Sequence, residues 1–233
     1  MTPVIAMPAA RGAAHASQGV GRLALIGLLA FLTVVDLFAT QALLPALAGA
    51  YGVAPSAMGT AVNASTLGMA VAGLAVARFG RGTDRRRGTA ASLALLALPT
   101  ALLAVAPDLT TFAALRVVQG LCMATAFSLS LAAISASGSA SATATAVSAY
   151  ITGNVASNML GRLMSASLAH EIGVGASFYI FALLNLVGAA LALNVLARPA
   201  RDPAEGPGQH RGGLAQTLAD RRLRASLIVG FCI

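Results

Sequence analysis

Six long apolar runs dominate this sequence, and each is long enough to cross a lipid bilayer. A membrane-spanning helix needs about 20 predominantly apolar residues, and only 9% of the 233 residues are charged. A soluble domain would carry about 25% charged residues to coat its surface. The chain is therefore predicted to be an all-α polytopic membrane protein with six transmembrane helices. The predicted spans cover residues 23–47, 57–77, 89–106, 109–134, 142–169 and 175–197.

The sequence outside the spans divides the chain into further regions. Residues 1–21 are rich in Ala, Gly, Ser and Pro, lack the apolar core of a signal peptide, and are predicted to form a disordered cytoplasmic tail. Residues 22–197 form the predicted six-helix domain. The hydrophilic, Pro/Gly-rich residues 198–223 are predicted to be a cytoplasmic linker. Residues 224–233 open another apolar run and are predicted to be the start of a truncated seventh helix.

Arginine placement predicts the orientation of the spans. The loop at 78–88 reads Arg-Phe-Gly-Arg-Gly-Thr-Asp-Arg-Arg-Arg-Gly, and in a six-span chain the tail, this loop and the linker share one side. Basic residues collect in cytoplasmic loops, so both ends are predicted to be cytoplasmic. The net charge of +8 comes from these arginines. They lack the interleaved aromatic residues of a nucleic-acid surface, so no nucleic-acid partner is expected.

Three charged residues lie inside predicted spans: Asp36, Arg116 and Arg162. An ionised side chain at mid-bilayer costs about 2.5–3.5 kcal/mol on insertion scales and is tolerated where it faces a bundle interior or a watery cavity. These residues are therefore candidates for function. Two alternatives remain open. Asp36 could pair with either arginine only to hold the bundle together, and Arg162 could extend to the outer interface.

Two patterns recur every four residues along the fifth span. The polar set is predicted to form one stripe toward water or substrate: Tyr150, Asn154, Asn158 and Arg162. The small set is predicted to form a face for close helix packing: Gly153, Ser157, Gly161 and Ser165. Interhelical hydrogen bonding alone is the alternative for the two asparagines. Asn63 in the second span is a further cavity candidate, whereas the nearly apolar third and sixth spans are predicted to face lipid.

The basic loop resembles a signature of the major facilitator superfamily. Gly80, Asp84 and Arg85 have the spacing of the Gly-x-x-x-Asp-Arg motif between that family's second and third helices. Arg87 continues the basic run, but the motif's second glycine is displaced to Gly88. The resemblance implies a latch on the cytoplasmic side. From the residues alone, the loop could be only a topology determinant, or Asp84 could bind neighbouring arginines or a helix N-terminus.

The fourth span carries a second motif in the expected order. Arg116-Val-Val-Gln119-Gly120 resembles the Arg-x-x-Gln-Gly signature of the family's fourth helix. The resemblance implies that the first, second, fourth and fifth helices line a cavity, with Gln119 toward it and Gly120 in packing. It also implies proton coupling at Arg116, for which Asp36 is the predicted acidic partner. The fifth span lacks the Gly-Pro of drug:proton antiporters and is more similar to arabinose-efflux-permease-like members.

Together these features predict the N-terminal half of a proton-coupled secondary transporter that exports a small organic solute. The alternative is an inactive truncation, or a six-helix half that works only as a dimer or with a separate partner half. The sequence has no Gly-x-Ser-x-Gly, no His-Glu-x-x-His and no paired intramembrane aspartates, so no enzymatic activity, cofactor or metal is expected. The expected partners are the lipid bilayer, a small solute, protons, and a missing C-terminal half or second copy. The expected location is the bacterial inner membrane, with multiple crossings and a cytoplasmic N-terminus.

Overall fold

Helices account for the regular structure of the described chain. The computed structural model describes residues 9–80, 83–136 and 139–196. The predicted linker at 198–223 and the predicted seventh helix at 224–233 lie outside these residues. Within the described ranges the helices are α1 (Ala9–Ala42), α2 (Leu44–Tyr51), α3 (Pro55–Asn63), α4 (Ser65–Phe79), α5 (Arg85–Leu103), α6 (Leu109–Ser135), α7 (Ala140–Ile172) and α8 (Val174–Val195).

The first predicted span differs from the structure at both ends. Helix α1 begins at Ala9, so residues 9–21 are helical where a disordered tail was predicted. Alanine has the highest helix propensity and is frequent there, so the helix extends upstream of the apolar run. Downstream, α1 ends at Ala42 instead of residue 47, and α2 follows after Leu43. Pro45 explains this break, because proline suits the first turn of a new helix but not a helix interior.

The second predicted span is formed by two helices, α3 and α4, which meet at Ala64. The Nε of Arg116 donates to the Val62 carbonyl oxygen at 3.0 Å. In an uninterrupted helix that carbonyl would accept from the amide of residue 66. A carbonyl drawn toward a guanidinium aligns poorly with the helix axis, so this contact accounts for the interruption.

Four stretches of the described chain are long and apolar enough to cross a membrane: Gly19–Ala42, Pro55–Arg78, Leu109–Ser135 and Val174–Val195. The third and fifth predicted spans fall on α5 and α7. Three arginines at the start of α5 lower its mean hydropathy, and amides, hydroxyls and an arginine do the same in α7. The chain is therefore a multi-pass membrane protein, while the count of six crossings stays a prediction.

Contacts along the helices fix their relative directions. On α7, Gly161 faces Val35 of α1, and Ser165 Oγ donates to the Ala39 carbonyl oxygen at 2.9 Å. The two pairs keep one register, so α1 and α7 run in the same direction. On α5 and α6 the partners shift in opposite directions, from Thr89–Ser130 to Thr100–Gln119, so these helices are antiparallel.

The same reasoning gives alternating directions through the described bundle. Helices α1, α5 and α7 run one way, and α3, α4, α6 and α8 run the other. The segment of α1 around Arg22 accordingly lies beside the ends of α6 and α8 and the start of α7, around a cavity of about 270 Å³. We call this the arginine end, because the start of α5 adds Arg85, Arg86 and Arg87.

Glycines let two helix pairs approach closely. A Cβ on Gly120 of α6 would overlap the Ser65 carbonyl oxygen of α4, and a Cβ on Gly153 of α7 would overlap the Gly27 carbonyl oxygen of α1. Backbones at this distance have no room for a side chain, and small residues commonly permit such contacts between membrane helices. Ser157, between the two glycines of α7, is fully buried.

Candidate functional site

Asp84 organises the loop at the arginine end by capping α5. Its Oδ1 accepts from the backbone amides of Arg86 and Arg87 at 3.1 and 3.2 Å, and the Arg87 Nε lies 3.4 Å from its Oδ2. A carboxylate at a helix N-terminus satisfies free amides and complements the helix dipole. The displaced Gly88 packs against the Leu129 side chain, where a Cβ would lie 2.7 Å from a methyl carbon.

Two neighbouring arginines reach the C-terminal ends of other helices. The Arg85 guanidinium donates to the Ala132 carbonyl oxygen of α6 at 3.2 Å, and the Arg86 Nε donates to the Leu193 carbonyl oxygen of α8 at 2.6 Å. The last carbonyls of a helix lack partners and carry partial negative charge. The first turn of α5 thus connects three helix ends within the described bundle. Arg86, which the motif comparison passed over, makes one of these contacts.

Asp36 lies at the centre of the bundle and is 2% exposed. Its Oδ2 accepts from the Thr100 hydroxyl of α5 and from the Asn185 amide of α8, both at 2.8 Å. Among the described residues its Oδ1 has no hydrogen-bond partner, and neither has the Asn185 Oδ1. Buried polar atoms are nearly always paired. Each of these two acceptors has a lone pair for one further hydrogen bond.

Arg116 of α6 is also fully buried, and its guanidinium donates four hydrogen bonds to neighbouring groups. Its guanidinium donates to the Val62 carbonyl at 3.0 Å, the Thr40 hydroxyl at 3.2 Å, the Gln119 Oε1 at 2.7 Å and the Ser65 hydroxyl at 3.1 Å. Arginine carries five N–H donors in a fixed fork. Side-chain and backbone oxygens therefore distribute its charge across α1, α3, α4 and α6.

Gln119 joins the two buried charges indirectly. Its Oε1 accepts from Arg116, and its Nε2 donates to the Thr100 hydroxyl at 2.7 Å. Thr100 in turn contacts Asp36. Among the described residues no direct ion pair joins Asp36 to Arg116 or to Arg162, so the alternative of a direct pair does not describe this structure. A hydroxyl and an amide separate the opposite charges, and we call these four residues with Asn185 the central network.

Two members of the central network, Thr100 and Asn185, were absent from the sequence-based candidates. They belong to the third and sixth predicted spans, which were expected to be nearly apolar and to face lipid. Both helices do expose leucines, yet each turns one polar group inward to Asp36. The available signal was a single asparagine in the middle of an apolar run, because a polar group inside the bilayer needs an internal partner.

The polar stripe of α7 does not stay on one face. Tyr150 is fully buried, Asn154 is half-buried, and Asn158 and Arg162 are exposed. Four residues exceed one 3.6-residue turn, so each step adds about 40° and three steps add about 120°. The prediction of a single face is therefore wrong. The small residues beside the stripe stay buried because α1 follows their path.

Arg162 is exposed but fixed in place. Its Nε donates to Asn158 Oδ1 at 2.9 Å, and its Nη2 donates to Gln41 Oε1 of α1 at 3.0 Å. The guanidinium carbon lies 5.9 Å from the centre of the Phe38 ring. Asn63 is elsewhere, exposed in a groove of about 870 Å³ between α3, α4 and the start of α6. The cavity candidates thus occupy at least two places, and Gln119 and Tyr150 face the interior.

Asp108 marks the end of the bundle opposite the arginines. It caps α6 through Oδ1, which accepts from the amides of Thr110 and Thr111 at 2.9 Å. The Thr111 amide and hydroxyl, with the Thr110 amide, hold the pKa of Asp108 below its ordinary value. Asp108 is therefore the N-cap of α6. Within the described residues, no group of three or more His, Cys, Asp or Glu side chains could hold a metal ion.

Comparison with known proteins identifies the family. The family model of the Major Facilitator Superfamily matches residues 26–233. An uncharacterized transporter, BU588, of Buchnera aphidicola subsp. Acyrthosiphon pisum is 23% identical over 166 residues, which make up 71% of this chain. The matched region spans 40% of the length of that relative. The chain therefore belongs to the Major Facilitator Superfamily.

Proposed function

We propose that this chain forms the N-terminal bundle of a proton-coupled secondary transporter that exports a small organic solute by alternating access. The observation that carries the proposal is the central network, in which a buried carboxyl and a buried guanidinium are linked through Thr100 and Gln119. Ionisable groups inside a membrane domain are costly and mark ion or proton pathways. The bundle acts as a transporter and not as an enzyme, and it crosses the membrane six times.

Asp36 is the proposed proton-binding group. In the ionised state its Oδ2 receives the Thr100 and Asn185 donors. A proton on Asp36 turns one carboxyl oxygen into a donor, for which the Asn185 Oδ1 is an unpaired buried acceptor. We expect the Asn185 amide to rotate so that its Oδ1 accepts from protonated Asp36. This rotation changes the contact between α1 and α8. Arg116 stabilises the ionised state from the other side of the network.

Asn154, Asn158 and Arg162 on α7 are the proposed substrate contacts. Arg162 is exposed and is oriented by Gln41 and Asn158. Gly80, Asp84, Arg85 and Arg87 act as the cytoplasmic latch of the same transporter. The arginine end faces the cytoplasm of a bacterial cell, because basic loops stay on that side.

Alternating access requires a second bundle against which the first can rock. The chain spans 40% of the relative it matches, so the second bundle is a C-terminal half, a separate partner or a second copy. Crosslinking in native membranes distinguishes these possibilities. A discrete dimer supports a second copy, whereas an unassembled and rapidly degraded chain supports the inactive alternative.

The deciding experiment compares Asp36→Asn with Asp108→Asn in the full-length transporter reconstituted into liposomes. The probes are labelled solutes of three classes, a carboxylate, an amine and a sugar, driven by an imposed pH gradient. We expect Asp36→Asn to remove the dependence of transport on the gradient while solute binding persists. Asp108→Asn is the matched control, because that carboxylate caps the first turn of α6 and bonds to Thr110 and Thr111, not to the central network. A transporter whose pH dependence survives Asp36→Asn would refute the proposal.

A further inference from the structure

One edge of the Arg162 guanidinium is occupied and its terminal edge is free. The Nε donates to Asn158 Oδ1 at 2.9 Å, and Nη2 donates to Gln41 Oε1 at 3.0 Å. A guanidinium carries five N–H groups, so both on Nη1 and one on Nη2 remain. Among the described residues these three have no hydrogen-bond partner. Nη1 and Nη2 together form a fork that matches the two oxygens of a carboxylate.

The two amides that hold Arg162 also turn donors outward. A guanidinium nitrogen only donates, so the amide oxygens of Asn158 and Gln41 must face it, which fixes the orientation of both amides. The Asn158 Nδ2 and the Gln41 Nε2 are left without a partner in the described part of the chain. We call these three side chains the donor cluster, because the polar groups that they leave free are N–H donors.

No acidic side chain of the described residues forms an ion pair with Arg162. The next acidic residue along α7, Glu171, lies about two and a half turns further on. The amides orient the guanidinium but carry no charge. Charged side chains within membrane domains generally face a watery cavity or are paired with an opposite charge. A bound anion would supply the charge that the described bundle does not.

Phe38 of α1 flanks the donor cluster. Its ring centre lies 5.9 Å from the guanidinium carbon of Arg162, within the range of a cation–π contact. The side chain is half-buried, and its Cβ lies 3.8 Å from the position that a Cβ on Gly161 would take. The ring and the two amides restrain the guanidinium before any ligand arrives, so less conformational freedom is lost on binding. The ring also offers an apolar surface to the body of a ligand.

We propose that the donor cluster binds a carboxylate group of the transported solute, which makes the substrate an organic acid. The proposal rests on the substrate-contact role of Arg162 proposed above, and it selects one class of solute. An ionised carboxylate only accepts hydrogen bonds and carries the opposite charge, so it matches the cluster in both respects. An ammonium group offers only donors and a like charge. A sugar hydroxyl needs an acceptor for its own proton, whereas Arg162 already engages both amide oxygens.

The test is equilibrium binding to the full-length transporter in detergent. No pH gradient is applied, so the result does not depend on proton coupling. The probes are labelled benzoate and benzamide, which have nearly the same shape and differ in charge. We expect benzoate to bind at least about tenfold more tightly, because hydrogen bonds between two charged groups are about twice as strong as neutral ones. Benzylamine and glucose should not displace it.

Asn158→Asp is the most direct variant. Aspartate keeps the shape of asparagine and an oxygen for the Arg162 Nε, but it places a carboxylate of the chain itself beside the guanidinium. We expect benzoate affinity to fall at least about tenfold, with little change in melting temperature because position 158 is exposed. Asn194→Asp is the matched control, because that exposed side chain bonds to the Ala190 carbonyl of its own helix. Wild-type benzoate affinity in Asn158→Asp would overturn the proposal.

Further outcomes separate the substrate class from the role of Arg162 itself. If benzylamine or glucose binds instead of benzoate and Arg162→Gln abolishes that binding, the substrate-contact role stands and the carboxylate is refuted. If Arg162→Gln binds every probe as the wild type does, both are refuted. Unlabelled acetate and inorganic phosphate complete the series. Failure of both benzoate and acetate to bind, or displacement of benzoate by phosphate more readily than by acetate, would also refute the carboxylate class.

Discussion

Replacement of Thr100 by valine tests whether the central network holds the bundle together. Valine matches threonine in shape, so no cavity forms, but the hydroxyl that contacts Asp36 and accepts from Gln119 is lost. The Gln119 amide is then left without its acceptor in a buried site, which costs about 1–3 kcal/mol. The lost contact to Asp36 adds about 0.6 kcal/mol, the mean for polar pairs between membrane helices. The expected destabilisation is about 2–4 kcal/mol.

The control is Thr125→Val on α6, where an exposed hydroxyl bonds only to the Leu121 carbonyl oxygen of its own helix. That change should cost about 0.5 kcal/mol or less. Equilibrium unfolding in mixed detergent can be followed by labelling of Cys122, which is 2% exposed, in a chain with Cys232 replaced by serine. Equal stability of the two threonine variants would refute the argument. A double variant with Gln119→Leu should be less destabilised than the sum of the single changes, because both remove one contact.

Three other changes can be checked in the same way. Gly153→Ala should lower stability strongly and separate α1 from α7, whereas Gly73→Ala, which meets no atom within 4 Å, should be neutral or stabilising; comparable melting temperatures would contradict this. The lowered pKa of Asp108 means that its ionised form stabilises the fold above the unfolded value of about 3.9. This stabilisation should be lost as pH falls through the lower folded pKa. Thermal melts of wild type and Asp108→Asn should therefore converge in acid. Arg162→Lys should weaken solute binding more than it changes stability, since lysine keeps the charge but loses the fork that contacts Asn158 and Gln41; a binding isotherm identical to wild type would exclude Arg162 as a substrate contact.

Charged residues within apolar runs and the regular spacing of small residues made part of the site predictable from sequence. Asp36 and Arg116 stand out because an ionisable residue within an apolar membrane span is costly and therefore marks a functional site. The glycines of α7 stand out because four-residue spacing of small residues predicts close packing. These patterns are local, and they do not depend on knowing which helices are neighbours.

The hydrogen-bond partners of Asp36 and Arg116 could not be predicted from such local sequence patterns. Thr100 and Asn185 are polar residues within mostly apolar runs, and only the register between α1, α5 and α8 places them at Asp36. Register depends on contacts between distant segments. Charge alone left direct pairing of Asp36 with either buried arginine open as an alternative, whereas Gln119 and Thr100 lie between Asp36 and Arg116 in the structure.

The constant register between α1 and α7 has a mechanical consequence. Small residues recur every four positions along this seam, with Gly161 against Val35 and Ser165 against Ala39. Sliding one helix along the other would bring large side chains into the gaps until a full step of about 6 Å was complete. Helices α1 and α7 therefore resist small axial displacements and should move as one rigid unit. Bending within the bundle should instead occur at the helix interruptions at Leu43 and Ala64.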